Sequence, residues 1–187
     1  MPRYKAYNEQ EVLERAMNLF WKNGYEATSM QQLEKEMGIN KFSIYSSFGS
    51  KSGLLQESIK CYAQKLNSIV EKLQNTPGGV KAIQQYFYDF INFSKESDLQ
   101  KGCLITNTAN ECIVENNMEI QQLLNYYTTG IRDVFAEKLR ENITYSEEEV
   151  QEKADYLFIA MFGFSSATKI FTYTQLKNYI SHIFKNI

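Results

Sequence analysis

The sequence predicts an all-α protein with a small N-terminal domain and a larger C-terminal one. Only two prolines, Pro2 and Pro77, occur in 187 residues, so few positions interrupt a helix. Apolar residues recur at spacings of three and four through most of the chain, which is the period of a helix buried along one face. The segment from Asn75 to Gly79 combines proline with two glycines and is the clearest break.

Four helices are predicted before this break. At the predicted helix starts, small polar side chains are able to accept the free backbone N–H groups of the first turn. Glycines occur where the first three helices end. The predicted starts are Thr28 with Ser29, Asn40 or Lys41, and Ser50; the predicted ends are Gly24, Gly38 and Gly49. The apolar positions are Val12, Ala16, Leu19 and Phe20, then Met30, Leu33 and Met37, then Ile44 and Phe48, then Leu54, Leu55, Ile59, Tyr62, Leu66, Ile69 and Leu73.

Further helices are predicted after the break. They are marked by Val80, Ile83, Phe87, Phe90 and Ile91, by the segments from Cys103 to Val114 and from Ile120 to Leu139, by Leu157, Phe158, Met161 and Phe162, and by Leu176, Tyr179, Ile180, Ile183 and Phe184. Ser146 and Glu149 have the spacing of a capping box. We expect two domains, residues 1–49 and 50–187, with the fourth helix connecting them.

Composition excludes several classes of protein. No apolar run approaches the roughly 18 residues of a membrane span, and the N-terminus is too polar for a secretory signal, so a cytoplasmic protein is expected. Cys61, Cys103 and Cys112 are odd in number and widely spaced, which favours free thiols over disulfides or a zinc module. His182 is the only histidine, which argues against His-based metal or catalytic sites, and no cofactor is expected.

The turn Met37-Gly38-Ile39-Asn40 has the length and the glycine of a helix-turn-helix. Packing of the turn and of Ile44 on the first helix would leave the outer face of the next helix free to enter a DNA major groove. From Met37 to Gln56 there is no acidic residue, whereas Lys41 and Lys51 are present. The overall net charge of −2 is compatible with DNA binding because phosphate contact is local.

The polar residues of this segment and Phe42 have candidate roles in contacting DNA. Lys41 and Ser43 are placed to hydrogen-bond base edges, and Phe42 to touch a thymine methyl. Tyr45 and Lys51 suit backbone contacts, with Lys51 in the first turn of the fourth helix; for Tyr45 a half-buried packing role is the alternative. The full candidate set is Thr28, Ser29, Asn40, Lys41, Phe42, Ser43, Tyr45, Ser46 and Lys51.

The string from Thr28 to Lys51, with its Met-Gly-Ile-Asn-Lys, Ser-Ile-Tyr and Phe-Gly elements, resembles the DNA-binding segment of the tetracycline-repressor (TetR) family. The resemblance covers about the first quarter of the chain. It implies a homodimer that binds a palindromic double-stranded operator, usually as a repressor, and that responds to a small-molecule effector bound in the second domain. Two residues depart from the family pattern: Glu34 stands where many members have alanine, and Ser47 where many have histidine, so one phosphate contact implied by the resemblance is missing.

Two features of the C-terminal region are candidates for effector recognition. Aromatic residues at helical spacing suit either a pocket lining or an ordinary core, and they are Phe87, Phe90, Tyr126, Tyr127, Phe158 and Phe162. Cys103 follows Gly102 and Lys101 at a predicted helix start, where the helix dipole and the lysine favour a reactive thiolate. The Gly-Cys-Leu sequence, with Asn107 and Glu111, also resembles a branch containing electrophile-responsive repressors. A packing role for Cys103 is the alternative.

The last two predicted helices, Tyr156 to Lys169 and Thr174 to Lys185, carry apolar residues that would pair with a second copy, as the resemblance implies, or form an internal core. Two other functional classes stay open. One is an enzyme that uses Cys103 as a nucleophile, although no histidine is placed to act as its base. The other is a helical ligand carrier or interaction protein whose helix-turn-helix is only structural.

Overall fold

The computed structural model describes residues 7–95, 101–111 and 113–187 and contains ten α-helices within them. These are α1 (Glu9–Asn23), α2 (Met30–Met37), α3 (Lys41–Phe48), α4 (Lys51–Asn75), α5 (Val80–Lys95), α6 (Leu104–Ala109), α7 (Ile113–Asn116), α8 (Met118–Leu139), α9 (Glu147–Ala167) and α10 (Tyr173–Ile183). A 3₁₀ turn, Phe184–Asn186, follows α10. No helix in the described part of the chain has the length and apolar character to cross a membrane. The predicted all-α class is confirmed.

Local capping explains most helix boundaries. Ser29, Asn40, Ser50 and Ser146 cap α2, α3, α4 and α9 through their side chains, as the sequence predicts. Gly24 and Gly38 end α1 and α2 with φ values of 81° and 69°, which residues that carry a Cβ atom rarely adopt. The sequence analysis does not predict three further caps: Asn8 begins α1, Asn117 begins α8 and Thr172 begins α10.

Helices α1, α2 and α3 form the N-terminal domain around a shared core. Leu33 and Ile44 are fully buried and Met37 almost so; α2 packs on α1, and α3 packs on α2 and α4. Phe48, predicted as a core residue, is half-buried and packs against the edge of this core. Helix α4 packs along α1 and continues to α5 and α8, so it connects the two parts of the chain.

The C-terminal helices surround a core of stacked aromatic rings. Phe87 lies at its centre, with ring centroids 6.3 Å from Phe135, 5.3 Å from Phe164 and 5.2 Å from Phe184. Phe87, predicted to line an effector pocket, is instead fully buried within this aromatic core. The predicted single helix from Cys103 to Val114 consists of two short helices, α6 and α7, and Cys112 lies outside the described residues.

Candidate nucleic-acid interface

Helix α3 presents a polar and aromatic face to solvent. Ile44 anchors the inner side and is fully buried, whereas Phe42 on the outer side is 78% exposed and Tyr45 is 39% exposed. Lys41 and Ser46 are also exposed, and Ser43 is half-buried. The Lys41 ammonium lies 5.6 Å from the centre of the Tyr45 ring. The structure thus places Lys41, Phe42, Tyr45 and Ser46 on one accessible surface, and Phe42 has no apolar environment of its own.

The start of α2 is built by Ser29 and Gln32. The Ser29 hydroxyl accepts the backbone N–H of Gln32, and the Gln32 side chain accepts the backbone N–H of Ser29, which is a complete capping box. Thr28, predicted to share the cap and to contact DNA, is fully buried instead. Its hydroxyl donates to the carbonyl oxygen of Gly24 at 2.6 Å. Thr28 therefore fixes the turn between α1 and α2, and its side chain is inaccessible to DNA.

Two acceptors hold the start of α3. The side chain of Asn40 accepts the backbone N–H of Ser43 at 2.9 Å, and the carboxylate of Glu34 accepts the backbone N–H of Lys41. In the sequence, Glu34 is distinguished only as a departure from the family pattern. The structure assigns it a capping role, in which its negative charge is placed at the positive end of the α3 dipole.

Lys51 is held more tightly than the sequence predicts. Its ammonium donates to the carbonyl oxygen of Tyr25 at 2.6 Å and lies 4.1 Å from the centre of the Tyr25 ring. Burial lowers the pKa of Lys51, and the nearby carboxylates of Glu26 and Glu111 partly oppose this shift. Lys51 therefore joins the start of α4 to the turn between α1 and α2.

A second site lies in the C-terminal domain, in a cavity of about 50 Å³. The predicted pocket residues Phe90, Tyr127, Phe158 and Phe162 line it together with Cys103. Tyr126 does not, because it is 73% exposed and lies at the rim of an outer groove. A cavity of this size holds one or two water molecules rather than a typical ligand of roughly 300 Å³ or more.

Surface grooves flank this cavity on two sides. A groove of about 480 Å³ between α4 and α8 shares Leu66, Ile105, Tyr127 and Ile131 with the cavity lining. A groove of about 410 Å³ beside α9 shares Thr128, Phe158 and Phe162 with it. The cavity and each groove are therefore separated by side chains that line both.

Cys103 lies at the N-cap of α6, one residue before the predicted first turn, and makes no capping hydrogen bond there. Its side chain is buried, and the buried Tyr62 hydroxyl lies beside it. The ammonium of Lys101 points instead toward α1, since it donates to Asn18 at 3.3 Å and lies 4.9 Å from the Trp21 ring. The Lys101 ammonium, which the sequence predicts to favour the Cys103 thiolate, therefore interacts with α1 instead.

The segment that contains α6 is hydrogen-bonded to the N-terminal domain at both of its ends. On one side, the indole N–H of Trp21 donates to the carbonyl oxygen of Gly102 at 3.2 Å. On the other side, the carboxylate of Glu111 accepts the backbone N–H of Glu26 at 2.9 Å. Since α6 also contributes Cys103 to the cavity lining, one short segment touches both the cavity and the turn that leads into α2.

Comparisons with known proteins agree with this architecture. Residues 12–58 match the family of bacterial regulatory proteins described as the tetR family. The uncharacterized HTH-type transcriptional regulator YezE of Bacillus subtilis is 32% identical over 136 residues, which cover 72% of this chain and 70% of YezE. IcaR of Staphylococcus aureus, a negative transcriptional regulator of the icaADBC biofilm operon, is 29% identical over 104 residues, which cover 55% of this chain and 56% of IcaR.

Solved structures share the whole fold. A cysteine mutant of the TetR family transcriptional regulator CifR, complexed with 26-base-pair operator DNA, has a TM-score of 0.86 at 23% identity and covers 98% of each chain. The reduced form of NemR from E. coli has a TM-score of 0.77 at 22% identity and covers 95% of this chain and 96% of NemR. The likeness therefore extends to the C-terminal helices, which the family match at residues 12–58 does not include.

Proposed function

Because the chain belongs to the tetR family of bacterial transcriptional regulators, we propose that it is a homodimeric repressor that binds a palindromic operator through α3. A small molecule or a thiol-modifying agent that reaches the C-terminal cavity releases it from the DNA. The observation that carries the proposal is the exposed face of α3, where an unburied phenylalanine stands beside a lysine on a helix anchored by Ile44. An exposed face of this kind suits the major groove.

The contact residues follow from their positions. Lys41, Phe42, Ser43 and Ser46 face base edges, and Tyr45 faces the sugar-phosphate backbone. Lys51 serves a phosphate at the start of α4, while its bond to Tyr25 fixes its position. Asn40 and Ser29 act mainly through the helix caps they form, and their exposed positions also lie at the DNA-facing helix ends.

The proposed division at residues 49 and 50 gives each domain a separate task. Residues 1–49 recognise DNA, and residues 50–187 bind the effector and dimerise. Effector binding enlarges the cavity around Cys103 and displaces α6, which weakens the contacts that Gly102 and Glu111 make with the N-terminal domain. A ligand that prefers this displaced state lowers DNA affinity by the ratio of its affinities for the two states.

Dimerisation through the last two helices is supported by their apolar surface. Ile159 on α9 is 70% exposed, and Tyr156 and Tyr179 nearby are 51% and 44% exposed. Tyr156, Ile159 and Tyr179 line a groove of about 330 Å³ together with His182 and Ile183. A second copy related by a twofold axis would cover this face and place two α3 helices on two operator half-sites.

The experiment that tests the proposal is footprinting of the purified chain on the DNA that flanks its own gene, followed by binding measurements at several salt concentrations. We expect protection of a palindromic site, with an affinity that falls steeply as salt rises. Binding that is insensitive to salt and shows no protected site would favour the alternative of a helical ligand-binding or interaction protein.

A further inference from the structure

Glu34 brings a negative charge to a surface that is otherwise built from residues without acidic side chains. The segment from Met37 to Gln56, which includes α3 and the start of α4, contains no acidic residue. Glu34 precedes this segment on α2, but its half-buried side chain reaches α3, where the carboxylate accepts the backbone N–H of Lys41. The carboxylate therefore lies at the end of α3 that carries Lys41 and the exposed Phe42.

The charge of this carboxylate is not neutralised by a neighbouring cation. Among the described residues, no ion pair includes Glu34. The Lys41 ammonium lies 5.6 Å from the centre of the Tyr45 ring, and Arg15 on α1 is paired with Glu11. The α3 dipole offers a partial positive charge of roughly half an elementary charge. A net negative charge is therefore present at the start of α3.

The start of α3 offers few free donors to a phosphate. A helix start with unoccupied backbone N–H groups attracts anions. In this protein the N–H of Lys41 is bonded to Glu34, and the N–H of Ser43 is bonded to the side chain of Asn40 at 2.9 Å. A DNA phosphate at this position would find these two donors occupied and would meet a carboxylate of like charge. Attraction to the DNA backbone is therefore weak at this end of α3.

We propose that Glu34 is a specificity-determining residue of the DNA interface. Its charge weakens binding to every duplex, because phosphates are present in all sequences. Its hydrogen bond to Lys41 fixes the start of α3, and the N-terminal residues of a recognition helix are those that contact base edges. Operator binding then depends on base contacts more than on phosphate attraction. This inference rests on the proposed function, because it requires α3 to enter the major groove.

The test compares the parent with Glu34→Gln, which keeps an oxygen acceptor for the Lys41 N–H and removes the charge. Fluorescence anisotropy gives the affinity at several salt concentrations for two duplexes of equal length, one that the parent selects from a random-sequence library and one of random sequence. We expect affinity for both to rise by the same factor, roughly five- to fiftyfold at about 0.1 M salt. The slope of log affinity against log salt should steepen by up to about 0.9 per chain, or about 1.8 per dimer.

Glu34→Ala removes the hydrogen bond as well as the charge. Affinity for the random duplex should rise as in Glu34→Gln, whereas affinity for the selected duplex should rise about three- to tenfold less, because the start of α3 has lost an acceptor. Glu36→Gln is the matched control, since Glu36 is an exposed acid of the same helix. Helical geometry places Glu34 and Glu36 on opposite flanks of the buried Leu33 and Met37. This control should keep the parent affinity and slope.

Thermal melts of all variants check that the fold is retained. If the parent binds with steep salt dependence but Glu34→Gln matches Glu36→Gln in affinity and slope, the electrostatic role of Glu34 is refuted and the proposed function stands. Weaker binding of Glu34→Gln to the selected duplex alone would also refute it, because Glu34 would then be a base contact. An unchanged ratio of the two affinities in Glu34→Ala would refute the role in sequence preference. If the parent itself shows no salt-dependent binding, both proposals are refuted.

Discussion

The carboxylate of Glu111 accepts the backbone N–H of Glu26 at 2.9 Å, although 85 residues separate them in the chain. The same carboxylate covers Gly24, where an added Cβ atom would lie 3.2 Å from either oxygen. Gly24 has φ 81° and ψ 169°, a conformation that is almost restricted to glycine. The C-terminal domain therefore contacts the turn into α2 at a position where both the backbone conformation and a nearby carboxylate disfavour a side chain.

Replacement of this glycine is expected to be costly. Gly24→Ala should lower the free energy of unfolding by about 1–3 kcal/mol, because it imposes an unfavourable φ and crowds Glu111. Urea denaturation measures the change. Gly130→Ala is the control: Gly130 lies within α8 with nothing within 4 Å of the added Cβ, so this change should stabilise the protein by about 0.5–1 kcal/mol. A neutral Gly24→Ala would contradict the described turn.

Lys41 and Lys51 should have different effects on DNA binding. Lys41→Ala is expected to weaken operator binding by about 1–3 kcal/mol and to relax sequence preference, because it removes a base contact. Lys51→Ala should weaken binding to all sequences alike and also destabilise the fold, since its ammonium is bonded to Tyr25. Anisotropy on selected and random duplexes measures both. Lys22→Ala serves as the equal-charge control, and equal losses on both duplexes for Lys41→Ala and Lys51→Ala would refute this division.

The dimer surface is tested by a pair of isoleucines. Ile159 is 70% exposed on α9, and Ile143 is 95% exposed between α8 and α9. Ile159→Asp should produce monomers and lose operator binding, because it places a charge at the centre of the proposed apolar interface. Ile143→Asp should remain dimeric. Sedimentation equilibrium distinguishes the two outcomes, and dimers of unchanged affinity with Ile159→Asp would place the interface elsewhere.

The proposed sensor role of Cys103 makes a prediction about alkylation. N-ethylmaleimide should release the parent from operator DNA and should not release Cys103→Ser, because the added group needs more room than the cavity offers. Cys61→Ser is the matched control: burial raises the pKa of the Cys61 thiol, which makes it a poor nucleophile. Mass spectrometry identifies the modified residue. Release of Cys103→Ser to the parent extent would leave Cys103 with a packing role.

Acid should destabilise the start of α9. Two hydrogen bonds from Arg140, at 2.7 and 3.0 Å, are the main cause that lowers the pKa of Glu147 to about 2. This folded-state pKa is below the ordinary 4.5. The stability that the ionised Glu147 carboxylate contributes is therefore complete above about pH 4.5 and is lost as pH falls toward 2. When urea unfolding is measured across this pH range, the free energy of unfolding should fall less steeply for Glu147→Gln than for the parent. Glu148→Gln, one residue along, should decline as the parent does.

The sequence by itself determined the helices, most of their ends and the helix-turn-helix. Ser29 and Gly38 act on backbone groups within three or four positions, so these local patterns predict structure without knowledge of the fold. The exposed face of α3 followed from the same periodicity, because Ile44 is buried and Phe48 packs against the core on the side of the helix opposite this face.

Only the tertiary structure decided how the functional groups are used. Thr28 has the side chain of a cap, yet burial against α1 turns its hydroxyl to Gly24. The hydrogen bond between Lys51 and Tyr25 joins residues separated by 26 positions in the chain. The hydrogen bond between Glu111 and Glu26 joins residues separated by 85 positions. Phe87 and Phe158 share an aromatic spacing pattern, but only Phe158 reaches the cavity. Such pairings depend on how whole helices pack, and helical periodicity identifies a buried face without identifying what lies against it.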